Sequence, residues 1–222
     1  MEGQSLALDV RNASKTLRQR PVLVNIHLQV ALGECIGIFG PNGAGKSMLL
    51  RLISGLIHPD QGSVYVFGRL LGKEIEFPPQ LGALIDAPGF LPNRSGFENL
   101  ALLASIQNRI GRERIVEAMQ MVGLDPDDSR PVRTYSTGMK QRLGVAQAIM
   151  EYPKLLLLDE PTRGLDPEGA QRIRRLLYDL KQAGTTIVLV SHERRDTEAL
   201  SDRLFAMYDG RLVSAENMIN AV

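Results

Sequence analysis

Gly40-Pro41-Asn42-Gly43-Ala44-Gly45-Lys46-Ser47 follows a short apolar run, Cys35 to Phe39, and leads into a helix-like segment from about Lys46 to Ile53. This is the strand–loop–helix pattern of a phosphate-binding P-loop. The chemistry dictates the residue types. Glycines let successive backbone N–H groups curl around an anion without a Cβ in the way. The N-terminus of the following helix adds partial positive charge. Lys46 is placed to reach the β- and γ-phosphates of a nucleotide such as ATP, and the Ser47 hydroxyl to ligate Mg²⁺.

A second stretch supplies the other half of such a site. Leu155-Leu156-Leu157-Leu158-Asp159-Glu160 reads as a buried strand that delivers two carboxylates at its end. Asp159 is a candidate for the Mg²⁺ shell. Glu160 is a candidate base, able to accept a proton from an attacking water or to orient it.

Around these motifs the chain alternates strands and helices. Strands are expected at Leu6 to Val10, Leu23 to Val30, Val64 to Phe67 and Leu81 to Ile85, and again at Thr186 to Val190 and Arg203 to Tyr208. Between them, residues 88–152 read as a helical insert in a single domain spanning 1–222. Ser95-Gly96-Phe97-Glu98 has the form of a capping box. Ile115, Met119 and Val122 have helical spacing, and a further helix is expected from Thr137 to Glu151. Asp166-Pro167 should start another, with Asp at the N-cap and Pro at the first position. The expected fold is therefore α/β: a P-loop core with a mainly parallel sheet, an antiparallel region near the N-terminus, and a helical subdomain.

Composition narrows the function. The chain has 222 residues, a net charge of +1 and 44% hydrophobic residues. Near-neutral charge with scattered basic residues argues against nucleic acid as a partner. The single cysteine, Cys35, excludes an internal disulfide and a multi-cysteine zinc site, and its apolar setting marks it as a small core residue. The polar N-terminus lacks the pattern of a signal peptide. No apolar run reaches the roughly 18 residues of a membrane-spanning helix. Service to a membrane would need a separate partner.

The residues between the two phosphate motifs select a family. Tyr135-Ser136-Thr137-Gly138-Met139, followed by Lys140-Gln141-Arg142, resembles the signature of ABC ATPases. Glu160-Pro161-Thr162-Arg163-Gly164-Leu165-Asp166-Pro167 resembles the family's Walker B exit and D-loop, and Ser191-His192 its H-loop. The resemblance covers nearly the whole chain in the family's order. It implies a head-to-tail pair of ATPase subunits, each ATP lying between one P-loop and the other subunit's signature. Ser136, Thr137 and Gly138 would then meet the nucleotide across the interface, Asp166 would bridge the halves, and His192 would contact the γ-phosphate in its own subunit. It also implies an integral membrane permease as partner and a peripheral place on the cytoplasmic face of the cell membrane. In the family the permease is received near the Q-loop and the helical insert. Phe90, in Pro88-Gly89-Phe90-Leu91-Pro92, is open to two readings: a partner contact, or part of the insert's own core.

Two departures from the family pattern stand out. Where the family carries a Q-loop glutamine, this sequence has Asp86, within Leu81-Gly82-Ala83-Leu84-Ile85-Asp86-Ala87-Pro88-Gly89-Phe90. That string resembles bacitracin-resistance and lantibiotic-immunity exporters, which carry a glutamate there. Asp86 is either a metal-site carboxylate in the coupling role, reaching the ion directly or through water, or an ordinary loop residue. Second, the adenine-stacking aromatic is missing. Its aligned position is Leu17, so base contact falls to Leu17 packing or to Arg18 or Arg20 over the ring. The resulting expectation is an ATP-hydrolysing subunit that powers an exporter of a drug or antimicrobial peptide. A soluble ABC ATPase of DNA repair or translation, and an inactive nucleotide-binding regulator, are the alternatives.

Overall fold

The computed structural model describes residues 5–86 and 89–214. Ala87 and Pro88, where the expected insert begins, lie outside the described residues. The polar alternation of the N-terminal strands and the unbroken apolar runs of the later ones build two different sheets. The first is four-stranded, antiparallel and ordered β2-β1-β4-β5, from β1 (Leu6–Leu17), β2 (Arg20–Ala31), β4 (Gln61–Val66) and β5 (Arg69–Leu70). In β2, Ile26, Leu28 and Val30 are buried while Asn25, His27 and Gln29 are exposed, as expected for a sheet with one face in the core.

The second sheet has the order β10-β9-β3-β8-β7-β6. Its strands β3 (Cys35–Phe39), β6 (Leu81–Leu84), β7 (Leu155–Asp159), β8 (Thr186–Ser191) and β9 (Arg203–Tyr208) pair in parallel, and β10 (Arg211–Ser214) closes one edge antiparallel to β9. Both faces of this sheet are covered, which is why its strands are continuously apolar. The two-residue period divides each strand between two cores. Leu155 and Leu157, with Ile36, Ile38, Val188 and Val190, face α1 (Lys46–Ile53) and the antiparallel sheet. Leu156 and Leu158, with Cys35, Ile187 and Leu189, face the helical side.

That side holds α2 (Gly96–Gln107), α3 (Arg112–Met121), α4 (Thr137–Ile149) and α5 (Pro167–Gln182). The capping box of α2 forms as the sequence suggests: Ser95 Oγ accepts from Glu98 N, and the Glu98 carboxylate accepts from Ser95 N. Helix α4 lies against β6 so closely that a Cβ on Gly82 would stand 2.0 Å from the Ala148 carbonyl oxygen. Only glycine permits that approach. Phe90 packs, partly buried, against the helical core, whereas its neighbour Leu91 is 46% exposed. The second reading of Phe90 thus describes its place in this chain. A short α6 (Arg194–Glu198) leads into β9.

Cys35 is fully buried at the start of β3, and burial pushes its thiol up to about 12. The thiolate is the reactive species, so the folded protein should resist alkylation. Mass spectrometry after iodoacetamide at pH 8 should show no label on native protein and complete label in guanidinium. Rapid labelling of the native chain would contradict the burial described here.

Candidate nucleotide site

Parallel strands bring their C-terminal ends to one edge of the sheet, which is where ligands bind in such folds. Here β3 and β8 pair so that Phe39 faces Ser191, while β7 and β8 pair Asp159 with Val190. The P-loop, Asp159-Glu160 and Ser191-His192 therefore leave the sheet side by side. Residues of the P-loop with Asp159 and Glu160 line a cleft of about 940 Å³, and Ser191-His192 adjoins it through Glu160.

The P-loop wraps the entrance of α1. Gly45 occupies the N-cap position with φ 107°, a left-handed conformation suited to glycine, and a Cβ there would stand 2.7 Å from the Val22 carbonyl oxygen. No side chain caps α1, so its first N–H groups are left for an anion. Lys46 Nζ donates to the carbonyl oxygens of Gly40 at 2.6 Å and Pro41 at 3.0 Å. Burial pushes its ammonium downward, opposed by the charges of Glu160 and Asp159. A triphosphate would relieve that desolvation.

Ser47 Oγ donates to Asp159 Oδ2 at 2.5 Å. Burial, the largest cause, pushes the Asp159 carboxyl upward, and the neighbouring Glu160 and Asp86 add to it. Glu160 follows with φ 50°, a left-handed conformation uncommon for a non-glycine residue. Its N–H donates to the Val190 carbonyl, and its own carbonyl accepts from Gln141 Nε2 at 2.8 Å. The carboxylate accepts from His192 N at 2.7 Å and lies 3.2 Å from Ser191 Oγ. His192 Nδ1 is 2.8 Å from Oε1 and 2.9 Å from Oε2. A carboxylate offers only lone pairs, so the ring presents Nδ1–H to it.

Of the residues singled out in the sequence, Asn42, Gly43, Gly45, Lys46, Ser47, Asp86, Thr137, Asp159 and Glu160 line the cleft. Gly40 and Pro41 serve through their carbonyls, and Ala44 is buried with its carbonyl accepting from Gly210 N. Ser136 caps α4, accepting from Met139 N at 3.1 Å, and leaves Thr137 at the cleft. A Cβ on Gly138 would stand 3.1 Å from the Gly164 carbonyl, so signature and D-loop touch within the chain. Asp166 stands at the N-cap position of α5, and its side chain makes no capping bond. Leu17, at the end of β1 and 37% exposed, does not line the cleft. Arg20, Pro21 and Val22 do, opposite Asp209 and Gly210. Asp86 lines the cleft but is bonded to Arg51, at 2.5 Å from Nη2 and 3.1 Å from Nε.

Fold and site together define a P-loop protein of the nucleoside-triphosphate-binding class, with a helical arm reaching its phosphate cleft. Residues 23–163 match the family model described as ABC transporter. The chain is 40% identical over 212 residues to an uncharacterized ABC transporter ATP-binding protein, YybJ, of Bacillus subtilis (strain 168), covering 96% of this chain and 97% of that one. It is 37% identical over 213 residues to the bacitracin transport ATP-binding protein BcrA of Enterococcus faecalis, covering 95% and 70%. Identity to the lantibiotic transport ATP-binding protein SrtF of Streptococcus pyogenes is 34% over 206 residues, covering 93% and 89%. Among solved structures, a dimeric post-hydrolysis state of the ATP-binding cassette MJ0796 with ADP and phosphate superimposes with a TM-score of 0.85 at 26% identity, covering 93% of this chain and 98% of that one. The chain belongs to the ABC transporter family, as an ATP-binding subunit that hydrolyses ATP. Cassettes of this family pair and work in membrane transport complexes, as with cbiO1 of Clostridium perfringens, part of the cbiONQ complex. Among the described residues no helix is long and apolar enough to cross a membrane.

Gln141 was not among the residues singled out as site groups. It was legible as part of the signature's extension, but its bond to the Glu160 carbonyl crosses 19 residues of sequence. A Gln141→Leu variant should keep ATP affinity and lose about fivefold in hydrolysis rate, the worth of one hydrogen bond of roughly 1 kcal/mol. Steady-state phosphate release alongside equilibrium nucleotide binding checks this.

Proposed function

We propose that the cleft binds MgATP and that Glu160 is the base that activates water on its γ-phosphate. The observation that carries this reading is the placement of Lys46, Ser47, Asp159 and Glu160 on one cleft wall, with Glu160 held by the Ser191-His192 segment. The residues fit a hard divalent cation. Two oxygen donors, Ser47 Oγ and Asp159 Oδ2, lie together, and the burial of Asp159 is offset only in part by the Ser47 hydroxyl and the Lys46 charge. Among the described residues no three His, Cys, Asp or Glu side chains are placed to hold a metal ion together, so phosphate oxygens and water would complete the shell, as Mg²⁺ prefers. The ion would supply charge neutralisation on the β- and γ-phosphates.

The chain's own groups do the rest. The N–H groups at the start of α1 and the Lys46 ammonium, released from the Gly40 and Pro41 carbonyls, hold the phosphates. Glu160 takes the proton of the attacking water. His192 N–H and Nδ1–H fix the carboxylate's direction, and the Gln141 bond fixes its backbone. His192 reaches the γ-phosphate in the same reading. Ser136, Thr137 and Gly138 present the N-terminus of α4 to the nucleotide of a second subunit, with Asp166 at the same seam. Residues 88–152 act as the helical subdomain that carries them.

The same reading places the subunit on the cytoplasmic face of a membrane, bound to a permease. The names of two relatives, for bacitracin and lantibiotic transport, support export of a drug or antimicrobial peptide. Exposed apolar side chains on the helical arm, Leu91, Leu102 and Ile106, support a protein contact there.

Glu160→Gln keeps shape and phosphate contacts but removes the proton acceptor. It should accumulate an ATP-bound dimer on gel filtration, with hydrolysis reduced by at least about a hundredfold. Wild-type turnover in that variant would refute the assignment. None of the residues lining the cleft is aromatic, so the triphosphate should dominate binding. Competition of ATP with GTP should show less than about fivefold preference, the scale of a missing stacking contact. Strong discrimination would show that Arg20 to Val22 or Asp209 reads the base.

A further inference from the structure

Asp86 departs from the family pattern, and the structure gives it a partner that sequence alone does not suggest. It stands one residue beyond Ile85 at the exit of β6, with φ 60° and its side chain 48% exposed. Its Oδ2 accepts both from Arg51 Nη2 and from Nε. Its Oδ1 has no hydrogen-bond partner among the described residues. Arg51 lies on α1 one turn beyond Ser47, so the two side chains share a helix face. The remaining nitrogen, Nη1, lies 3.6 Å from Met48 Sδ, which fixes the guanidinium.

The charge around the cleft explains why such a pair is needed. A glutamine is neutral, whereas Asp86 adds its carboxylate to those of Asp159, Glu160 and Asp209 in the cleft proposed to take a triphosphate. Its charge is already felt there, since it helps push the Asp159 carboxyl upward. Paired with Arg51, it presents nearly the neutrality of an amide. As a stability element the pair is worth little, being over a third exposed on both sides. Its consequence lies in where the carboxylate points.

We propose that Arg51 is a positioning residue that holds Asp86 in reserve, neutralising it against the phosphates and setting how strongly it acts on a bound divalent cation. The inference rests on the reading of Ser47 and Asp159 as the metal-holding pair. With Arg51 removed, two effects act in one direction. Without Mg²⁺, the unpaired carboxylate repels the triphosphate. With Mg²⁺, the same carboxylate is free to ligate the ion or its water. Both raise the ratio of ATP affinity with Mg²⁺ to that with EDTA.

The test is equilibrium binding of a fluorescent ATP analogue, with Mg²⁺ or EDTA, to four proteins: wild type, Arg51→Met, Asp86→Asn and the double variant. Arg51→Met should raise the Mg²⁺/EDTA affinity ratio about three- to fivefold, the scale of one exposed ion pair. The double variant should return to the wild-type ratio or below, because the charge that Arg51 restrains is gone. Arg51→Lys keeps the charge but loses the two-donor grip, and should fall between. It also carries the comparison if Arg51→Met proves unstable in a thermal melt. A wild-type ratio above one that Arg51→Met leaves unchanged, or a raised ratio that persists in the double variant, would overturn the role of Arg51 alone. A wild-type ratio of one would overturn the metal reading and this inference with it.

Discussion

Three parallel strands in register, β3, β8 and β7, set the positions of the P-loop, Ser191-His192 and Asp159-Glu160. Neighbouring strands lie about 4.8 Å apart. The pairing of Phe39 with Ser191 and of Asp159 with Val190 therefore places P-loop, H-loop and Walker B carboxylates within side-chain reach at one edge. A one-residue slip would turn every side chain of a strand to the other face. Here it would move Leu156 and Leu158 into the core of Leu155 and Leu157, so the two-sided burial of the sheet guards the site's geometry. Packing in the cores and chemistry at the edge are one constraint.

The helical arm is tied to that edge at a few defined contacts. Gln141 on α4 bonds the Glu160 carbonyl, Gly138 meets Gly164, and Gly82 on β6 lets α4 approach the sheet. Arg51 and Asp86 join the phosphate-binding helix to the segment that enters the arm. The Glu160 backbone thus feels the arm through Gln141, while its carboxylate feels the sheet through His192. A displacement of the arm would reach the Glu160 main chain through the Gln141 side chain, by the hydrogen bond that joins them.

What the sequence disclosed follows from which interactions are local. The P-loop, the buried run of β7, the capping box at Ser95 and the helix start at Asp166-Pro167 are encoded within a few residues, and each appears in the structure where the sequence put it. The strand limits were less legible. β1 reaches Leu17 and β2 starts at Arg20, well beyond their apolar stretches, because pairing continues through polar residues past irregularities near Asn12 and Asn25, both left-handed. The five residues of α6 carry no apolar period, and β10 is short and only half-buried. Within the site, the P-loop and both Walker B acids were legible from motif. Of the groups the sequence offers for base contact, Arg20 lines the cleft and Leu17 does not, because the hairpin turns Arg20 to Val22 toward it. The Arg51–Asp86 and Gln141–Glu160 bonds cross 35 and 19 residues, and nothing local in the chain encodes them.

Charge balance links these observations. Four carboxylates, Asp86, Asp159, Glu160 and Asp209, line the cleft together with Arg20, Lys46 and Arg163, so a polyanion meets both signs of charge there. In the proposed reading, three of these acids have different remedies. Asp159 sits against the Ser47 hydroxyl and is left to a divalent cation, Glu160 is gripped by His192 and its N–H, and Asp86 is paired with Arg51. Two of the three remedies are thus permanent groups of the chain, and one arrives with the substrate. Lys46, turned onto the Gly40 and Pro41 carbonyls, is the cation that a bound triphosphate would draw away from them in that reading. Nucleotide without metal would meet the carboxylates only partly screened, whereas nucleotide with metal supplies the missing counter-charge at Asp159. In the proposed reading, a preference for the metal-bound nucleotide would follow from Asp159 itself, because the cation would offset its charge where the phosphates must lie.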